Sequence, residues 1–93
     1  MREKTIEQKF VAAVKAAGGL ALKLTSPGFD GVPDRIVLLP GGKMAFVEVK
    51  APGEKPRPLQ LARHRLLRRL GFKVYVLDDE SQIGGMIDEI QSA

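Results

Sequence analysis

The chain of 93 residues contains no cysteine and a single histidine, His64. Without cysteine, neither a disulfide framework nor a thiolate metal site is possible. One histidine excludes a metal cluster built from several imidazoles. No apolar run approaches the ~18 residues of a membrane span, and residues 1–4 lead into a charged segment that lacks the apolar core of a signal peptide. We therefore expect a cytoplasmic protein with no membrane partner.

Charge is spread unevenly along the chain. The net charge is +4, with 44% hydrophobic and 28% charged residues, which predicts one globular domain over residues 1–93. Residues 55–77 carry seven basic side chains and no acid, whereas residues 78–93 carry five acids and no base. The basic segment suits a polyanion such as nucleic acid, because neutralising phosphates releases counterions. The alternative is a solvated helix face.

Hydrophobic periodicity predicts the element order αβββαβα. The helices are expected from near Thr5 to Ala17, with one more turn before it as an alternative, then from Pro58 to Leu70, and over Ile83 to Ile90. The strands are expected at residues 20–24, 35–39, 44–49 and 73–77. Strands one to three can form an antiparallel meander, and strand four, after a helical crossover, runs parallel to strand three. The fold class is thus α/β, a mixed four-stranded sheet flanked by helices on both faces. Within the second helix, the expected buried stripe is Leu59, Ala62, Leu66 and Leu70.

Two acids and a lysine lie at the ends of the second and third strands. A three-residue loop at residues 40–42 places Glu48 opposite Asp34, with Cβ atoms ~5 Å apart, close enough to share one ion. Lys50 follows two residues later and points to the same side. Hard divalent cations prefer oxygen ligands, so the set indicates metal-assisted phosphodiester cleavage. A two-residue loop would shift the register, and a Glu48–Lys50 ion pair is the structural alternative.

Further polar residues are candidates for the same site. Glu7 borders the apolar stripe of the first helix and can face the sheet, with Glu3 as a rival and Asp30 as a weaker candidate. A first-turn acid that complements the helix dipole is the alternative for Glu7. Gln60 can bridge the site to a water or phosphate, and His64 is interpreted as a phosphate contact or a helix-surface residue. The residues expected to contact DNA are Lys55, Arg57, Arg63, His64, Arg65 and Arg68.

Several motifs together resemble the VRR-NUC domain, a virus-type replication-repair nuclease family of the PD-(D/E)XK superfamily. The matching parts are Glu7, the Gly-Val-Pro-Asp-Arg run of residues 31–35, the Glu-Val-Lys run of residues 48–50, Gln60, and residues 71–76. They cover nearly the whole chain in the right order. The resemblance implies a restriction-endonuclease-like core and a homodimer that acts on branched, Holliday-junction-like DNA.

The same resemblance implies a role for each site residue. Asp34 and Glu48 ligate Mg²⁺ or Mn²⁺, the Val49 carbonyl is a further ligand, and Glu7 completes the acidic site. Lys50 is catalytic and Gln60 supports the site. The main hypothesis is a metal-dependent DNA endonuclease. The alternatives are a non-catalytic DNA-binding module and a nuclease subunit that is active only with a partner.

Overall fold

The computed structural model describes residues 1–92, which form a four-stranded mixed sheet with three α-helices. The elements are α1 (Glu3–Ala16), β1 (Leu20–Lys23), β2 (Arg35–Leu39), β3 (Lys43–Val49), α2 (Pro58–Arg69), β4 (Val74–Leu77), a 3-10 turn (Glu80–Gln82) and α3 (Ile83–Ser92). The strand order is β1-β2-β3-β4, with antiparallel pairing from β1 to β3 and parallel pairing of β3 with β4. The predicted order αβββαβα and the mixed sheet are confirmed. No helix within residues 1–92 combines the length and hydrophobicity needed to cross a membrane.

The β2–β3 hairpin has the predicted three-residue loop. Leu39 pairs with Lys43 and Ile36 pairs with Phe46, so the register is the one that places Asp34 opposite Glu48. Gly41 and Gly42 both have positive φ, at +84° and +75°. Glycine adopts this region without the steric cost of a Cβ atom, and two consecutive glycines therefore allow the tight reversal that sets the register.

The apolar core lies between one face of the sheet and the helices α1 and α3. It is made of alternating strand residues and of residues at helical spacing, all buried: Ile6, Phe10, Val14, Val37, Ala45, Val47, Leu77, Met86, Ile87 and Ile90. Because strand side chains alternate between faces, this arrangement directs Glu48 and its neighbours of the same parity toward the opposite face. The core helices therefore determine on which side of the sheet the polar residues of β3 lie.

The α2 helix lies on that opposite face and buries a polar side. Its buried residues are Gln60 and His64, whereas Leu59 and Leu70 are 46% and 64% exposed. The predicted stripe is therefore wrong at Leu59 and Leu70, whereas Ala62 and Leu66 are half-buried. The helix turns Gln60 and His64 inward because the sheet residue beneath them is the carboxylate Glu48, with which both make contacts.

The first helix starts before Thr5, near which its beginning was expected. Arg2 occupies the N-cap position and the helix begins at Glu3. The predicted alternative with an extra turn is thus the observed one. Its consequence is that Glu3 lies within the first helical turn, close to the end of the sheet that carries Asp34 and Lys50.

Candidate active site

Asp34 and Glu48 meet at the end of the β2–β3 hairpin. The Asp34 Oδ2 atom accepts a hydrogen bond from the Val49 backbone N–H at 2.9 Å, and the Asp34 carbonyl accepts one from the Leu24 N–H, also at 2.9 Å. These contacts tie Asp34 to β3 on one side and to the end of β1 on the other. The register of the hairpin places Asp34 opposite Glu48, and the Asp34 carboxylate is near enough to raise the pKa of Glu48. The sequence-based expectation that the hairpin brings these acids together agrees with this geometry.

Glu48 is a carboxyl group in an unusual environment. Its side chain is 1% exposed, and burial, followed by the charge and hydrogen bond of Asp34, raises the pKa of Glu48 to about 8. The nearby Lys50 opposes this shift. Two acids this close cannot both ionise at low cost unless positive charge is added between them. With its pKa at about 8, the Glu48 carboxyl group therefore favours the protonated form at neutral pH.

Lys50 lies beside Glu48, as the two-residue spacing predicts. Its Nζ atom is 3.7 Å from Glu48 Oε2, and its side chain is 13% exposed. The Lys50 backbone N–H donates to the Leu77 carbonyl at 2.8 Å, which fixes the end of β3 against β4. The ammonium group is thus held at the rim of the site and can reach both the carboxylate and a ligand that approaches from solvent.

Gln60 links the second helix to Glu48. Its Oε1 atom accepts a hydrogen bond from the Arg57 N–H at 2.8 Å, which caps the start of α2. Its Nε2 atom donates to Glu48 Oε2 at 3.2 Å. The Gln60 side chain therefore accepts a hydrogen bond from the backbone at the start of α2 and donates one to a buried acid. An amide can do both because it carries a donor and an acceptor.

His64 is fully buried beside the same acid. Its Nε2 atom is 3.6 Å from Glu48 Oε1, and burial, then the Arg68 and Lys50 cations, lower its pKa. The expectation of a phosphate contact or a helix-surface residue is wrong, because no part of the imidazole reaches the surface. Gln60 and His64 are four residues apart and so share one helix face. That spacing was the sequence signal for this contact.

Glu7 is not brought to the Asp34–Glu48 pair. Its Oε2 atom accepts from Arg35 Nε at 2.9 Å, and Arg35 Nη1 donates to the Ala21 carbonyl at 2.9 Å. Arg35 and Asp34 are consecutive, so their side chains point to opposite faces. Glu7 and Arg35 line a separate groove of about 360 Å³ between α1 and β1, together with Val11 and Lys23. The structure therefore gives Glu7 no ligand role.

Glu3 is the acid of α1 whose pKa is influenced by the site residues. Although it is largely exposed, partial burial and then the Asp34 carboxylate raise its pKa, and Lys50 acts in the opposite direction. These influences place Glu3 near both residues. Asp30, the weaker candidate, is exposed, and its backbone carbonyl accepts a hydrogen bond from Arg63. Glu3 is therefore coupled electrostatically to Asp34 and Lys50.

The predicted DNA-contacting residues fall into two groups. Lys55, Arg57 and Arg65 are exposed around the start and outer side of α2. By contrast, Arg63 donates to the Asp30 carbonyl at 2.8 Å and its guanidinium lies 3.9 Å from the ring centre of Phe29. Arg68 donates to the Val74 carbonyl at 2.8 Å. The guanidinium groups of the second group therefore support the loop before Asp34 and the start of β4.

The donor set fits a hard divalent cation. Two carboxylates lie on neighbouring strand ends, and one of them is buried with its Oε1 atom unpartnered. Oxygen donors suit Mg²⁺ and Mn²⁺. Over residues 1–92 no group of three or more Asp, Glu, His or Cys side chains has metal-binding proximity. A cation here would thus rely on two acids, with backbone oxygen and water completing its coordination.

The fold also occurs in a solved structure, and the sequence is similar to that of a phage protein. The chain superposes on a solved VRR-NUC domain with a TM-score of 0.86 and 33% identity, over 95% of this chain and 97% of that one. The chain belongs to the VRR-NUC family. A relative named "Putative nuclease p44", from Acyrthosiphon pisum secondary endosymbiont phage 1, is 55% identical over 80 residues, or 86% of each protein. No family model matches the chain. Membership in VRR-NUC, a nuclease family, agrees with the resemblance found in the sequence.

Proposed function

We propose that this VRR-NUC chain is a metal-dependent endodeoxyribonuclease that hydrolyses phosphodiester bonds in branched or Holliday-junction-like DNA. The observation that carries the proposal is the placement of Asp34 opposite the buried Glu48, with Lys50 Nζ 3.7 Å from Glu48 Oε2. A buried carboxyl group with a raised pKa, beside a second acid and a lysine, is costly to a fold, and such arrangements are concentrated at functional sites.

Asp34, Glu48 and the Val49 carbonyl would hold Mg²⁺ or Mn²⁺. The Val49 N–H already bonds Asp34 at 2.9 Å, so this residue lies within the same cluster. When bound, the cation supplies Lewis acidity to a phosphoryl oxygen and acidifies a water molecule. The cation also offsets the charge of the two acids, which would otherwise repel a phosphate.

The other residues of the site orient the metal ligands or offset negative charge. Lys50, at the rim of the site, stabilises negative charge that develops on the phosphoryl group. Gln60 holds Glu48 through Oε2 and so keeps the carboxylate in one orientation. For the helix acid of the site, the proposal uses Glu3 in place of Glu7, since Glu7 is paired with Arg35.

The DNA substrate is inferred from the exposed basic side chains near the site. Lys55, Arg57 and Arg65 lie along the loop and helix that follow Lys50. Contacts to the phosphate backbone position a duplex but carry no sequence information directly. We therefore expect the protein to select its substrate by DNA structure. The phage source of the relative supports a place of action in the cytoplasm of a bacterial or phage-infected cell.

A homodimer is part of the proposal. Leu20, Leu22 and Leu38 occupy one face of the β1–β2 pair and are 57%, 47% and 39% exposed. Contiguous exposed apolar side chains often mark protein contacts, and two active sites in one particle suit paired cuts across a junction. Light scattering on wild type and Leu22→Lys tests this part. The expected result is a dimer that the lysine converts to a monomer, and a monomeric wild type would contradict it.

A substrate panel tests the enzymatic proposal. Linear, nicked, flap and four-way-junction DNAs are incubated with Mg²⁺, Mn²⁺ or chelator, using wild type, Asp34→Asn, Glu48→Gln and Lys50→Ala. Gln91→Ala, on the exposed side of α3, is the matched control. We expect metal-dependent cleavage of branched DNA by wild type and control, and loss in the other three. Salt-sensitive binding without cleavage would indicate a DNA-binding module, and cleavage only after a partner is added would indicate a subunit.

A further inference from the structure

The imidazole of His64 is a buried polar group without a task in the cleavage chemistry proposed above. The residue is 0% exposed, and neither Nδ1 nor Nε2 has a hydrogen-bond partner within residues 1–92. The Oε1 atom of Glu48 is likewise buried and unpartnered, and it lies 3.6 Å from Nε2. Burying a polar atom without a partner is unfavourable. An unused donor and an unused acceptor therefore face each other at slightly more than hydrogen-bond distance.

Gln60 and His64 contact different oxygens of one carboxylate. Gln60 Nε2 donates to Oε2 at 3.2 Å, whereas His64 Nε2 faces Oε1. Both residues belong to α2 and lie one turn apart on its buried face. Because a carboxylate oxygen has two lone pairs, Oε1 can accept an N–H and bind a cation at the same time. The helix thus presents one group to each oxygen of the Glu48 carboxylate.

We propose that His64 is a positioning residue, whose Nε2–H donates to Glu48 Oε1 and holds that carboxylate for a divalent cation. The inference rests on the proposed function in one respect, that Glu48 is a metal ligand. Shortening the separation from 3.6 Å to ~2.9 Å makes an ordinary hydrogen bond. Groups that orient a metal ligand in this way typically account for about 10- to 100-fold in metal affinity.

Manganese binding tests the role without using cleavage. Calorimetric titration of the full chain with Mn²⁺ compares wild type with His64→Leu, which removes the donor, and His64→Gln, which retains one. Arg69→Ala, exposed on the same helix, is the control. We expect about tenfold weaker binding in His64→Leu, partial recovery in His64→Gln, and wild-type binding in the control. Equal affinity in wild type and folded His64→Leu would overturn the proposal.

Thermal unfolding in chelator separates positioning from a purely structural role. Because the imidazole has no bonded partner in the metal-free fold, an apolar side chain of similar size should keep or raise the melting temperature. A structural role predicts the reverse, a lower melting temperature with unchanged Mn²⁺ affinity. If wild type bound neither Mn²⁺ nor Mg²⁺, the proposed function itself would be contradicted. That outcome differs from equal Mn²⁺ affinity in wild type and His64→Leu, which would contradict only the role of His64.

Imidazole nitrogen NMR gives an answer even where His64→Leu does not fold. His64 is the sole histidine of the chain, so its two ring nitrogens are assigned without ambiguity. In the Mg²⁺-loaded wild type we expect the tautomer protonated at Nε2, with a shift of that nitrogen on Mg²⁺ addition that Glu48→Gln removes. A tautomer protonated at Nδ1, direct coordination of Mg²⁺ by Nε2, or no response to Mg²⁺ would each overturn the proposal.

Discussion

The sheet has one face covered by apolar residues of α1 and α3, and another on which α2 buries Gln60 and His64 over a carboxyl group. The first face follows the usual rule that aliphatic side chains provide the free energy of folding. The second face buries charged and polar groups that pair with one another. On that face the pKa of Glu48 is about 8. The comparison indicates that stability comes mainly from one face and chemistry from the other.

The largest expected effect is on the apolar face. Phe10→Ala removes a fully buried ring from α1 and should lower the free energy of unfolding by about 3–5 kcal/mol. Leu61→Ala, at a 40% exposed position of α2, should cost less than about 1 kcal/mol. Urea unfolding measures both. Similar losses in the two variants would show that the core does not lie where the structure has it.

The second effect concerns pH and the metal-free protein. The folded-state pKa of Glu48, about 8, lies above the ordinary value of 4.5, so the folded chain binds more protons between these values. The stability contributed by this group is therefore complete below pH 4.5 and is lost as the pH rises toward 8.

The comparison of wild type with Glu48→Gln isolates that contribution. With chelator present, wild type should lose roughly 2–4 kcal/mol relative to Glu48→Gln between pH 5 and pH 8. Denaturant unfolding at several pH values provides the measurement. Parallel stability curves for the two proteins would mean that Glu48 ionises normally in the folded state.

The third effect is on the link between α2 and the acid. Gln60→Ala removes both the bond to Glu48 Oε2 and the bond to the Arg57 N–H. We expect Mn²⁺ affinity to fall about tenfold and stability to fall by about 1 kcal/mol. Electron paramagnetic resonance of free Mn²⁺ and thermal unfolding record the two quantities. Unchanged Mn²⁺ affinity would assign Gln60 to helix capping alone.

The smallest effect is on DNA binding. Lys55→Ala and Arg57→Ala should each reduce the salt dependence of binding by about one unit of slope. Arg68→Ala should leave that slope unchanged and lower the melting temperature, because the Arg68 guanidinium is bonded to the Val74 carbonyl. Fluorescence anisotropy in chelator, at several salt concentrations, measures the slopes. A reduced slope in Arg68→Ala would move that residue into the DNA-contacting group.

Much of the fold could be predicted because local signals agreed with the tertiary structure. Alternation defined β2 and β3, and the loop at residues 40–42 set a register that brings Asp34 to Glu48 and Lys50. The position of α2 was predicted correctly, but its buried side was not, because helical periodicity was taken as a sign of apolar burial. Leu59 and Leu70 fit that period, but the surface that α2 covers is polar.

The other errors arose from contacts between residues distant in the chain. Glu7 matched a family pattern, but Arg35, 28 residues later, engages its carboxylate. Arg63 contacts the Asp30 carbonyl and the Phe29 ring within the chain, and its contact with DNA stays a prediction. A charged side chain can meet solvent, a partner or a phosphate, and local sequence does not distinguish these environments. His64 was expected at the helix surface or on a phosphate, but it is buried beside Glu48.

The sequence alone determined the order of the elements, the hairpin register and the chemical types present at its end, since these depend on short-range periodicity and turn geometry. Tertiary packing alone decided three other features. It decided which helix acid lies near the site, which basic residues are exposed, and that the His64 imidazole lies beside Glu48. The physical reason is that burial and pairing energies depend on neighbours far along the chain. Those neighbours decide whether a polar side chain meets water or another charge.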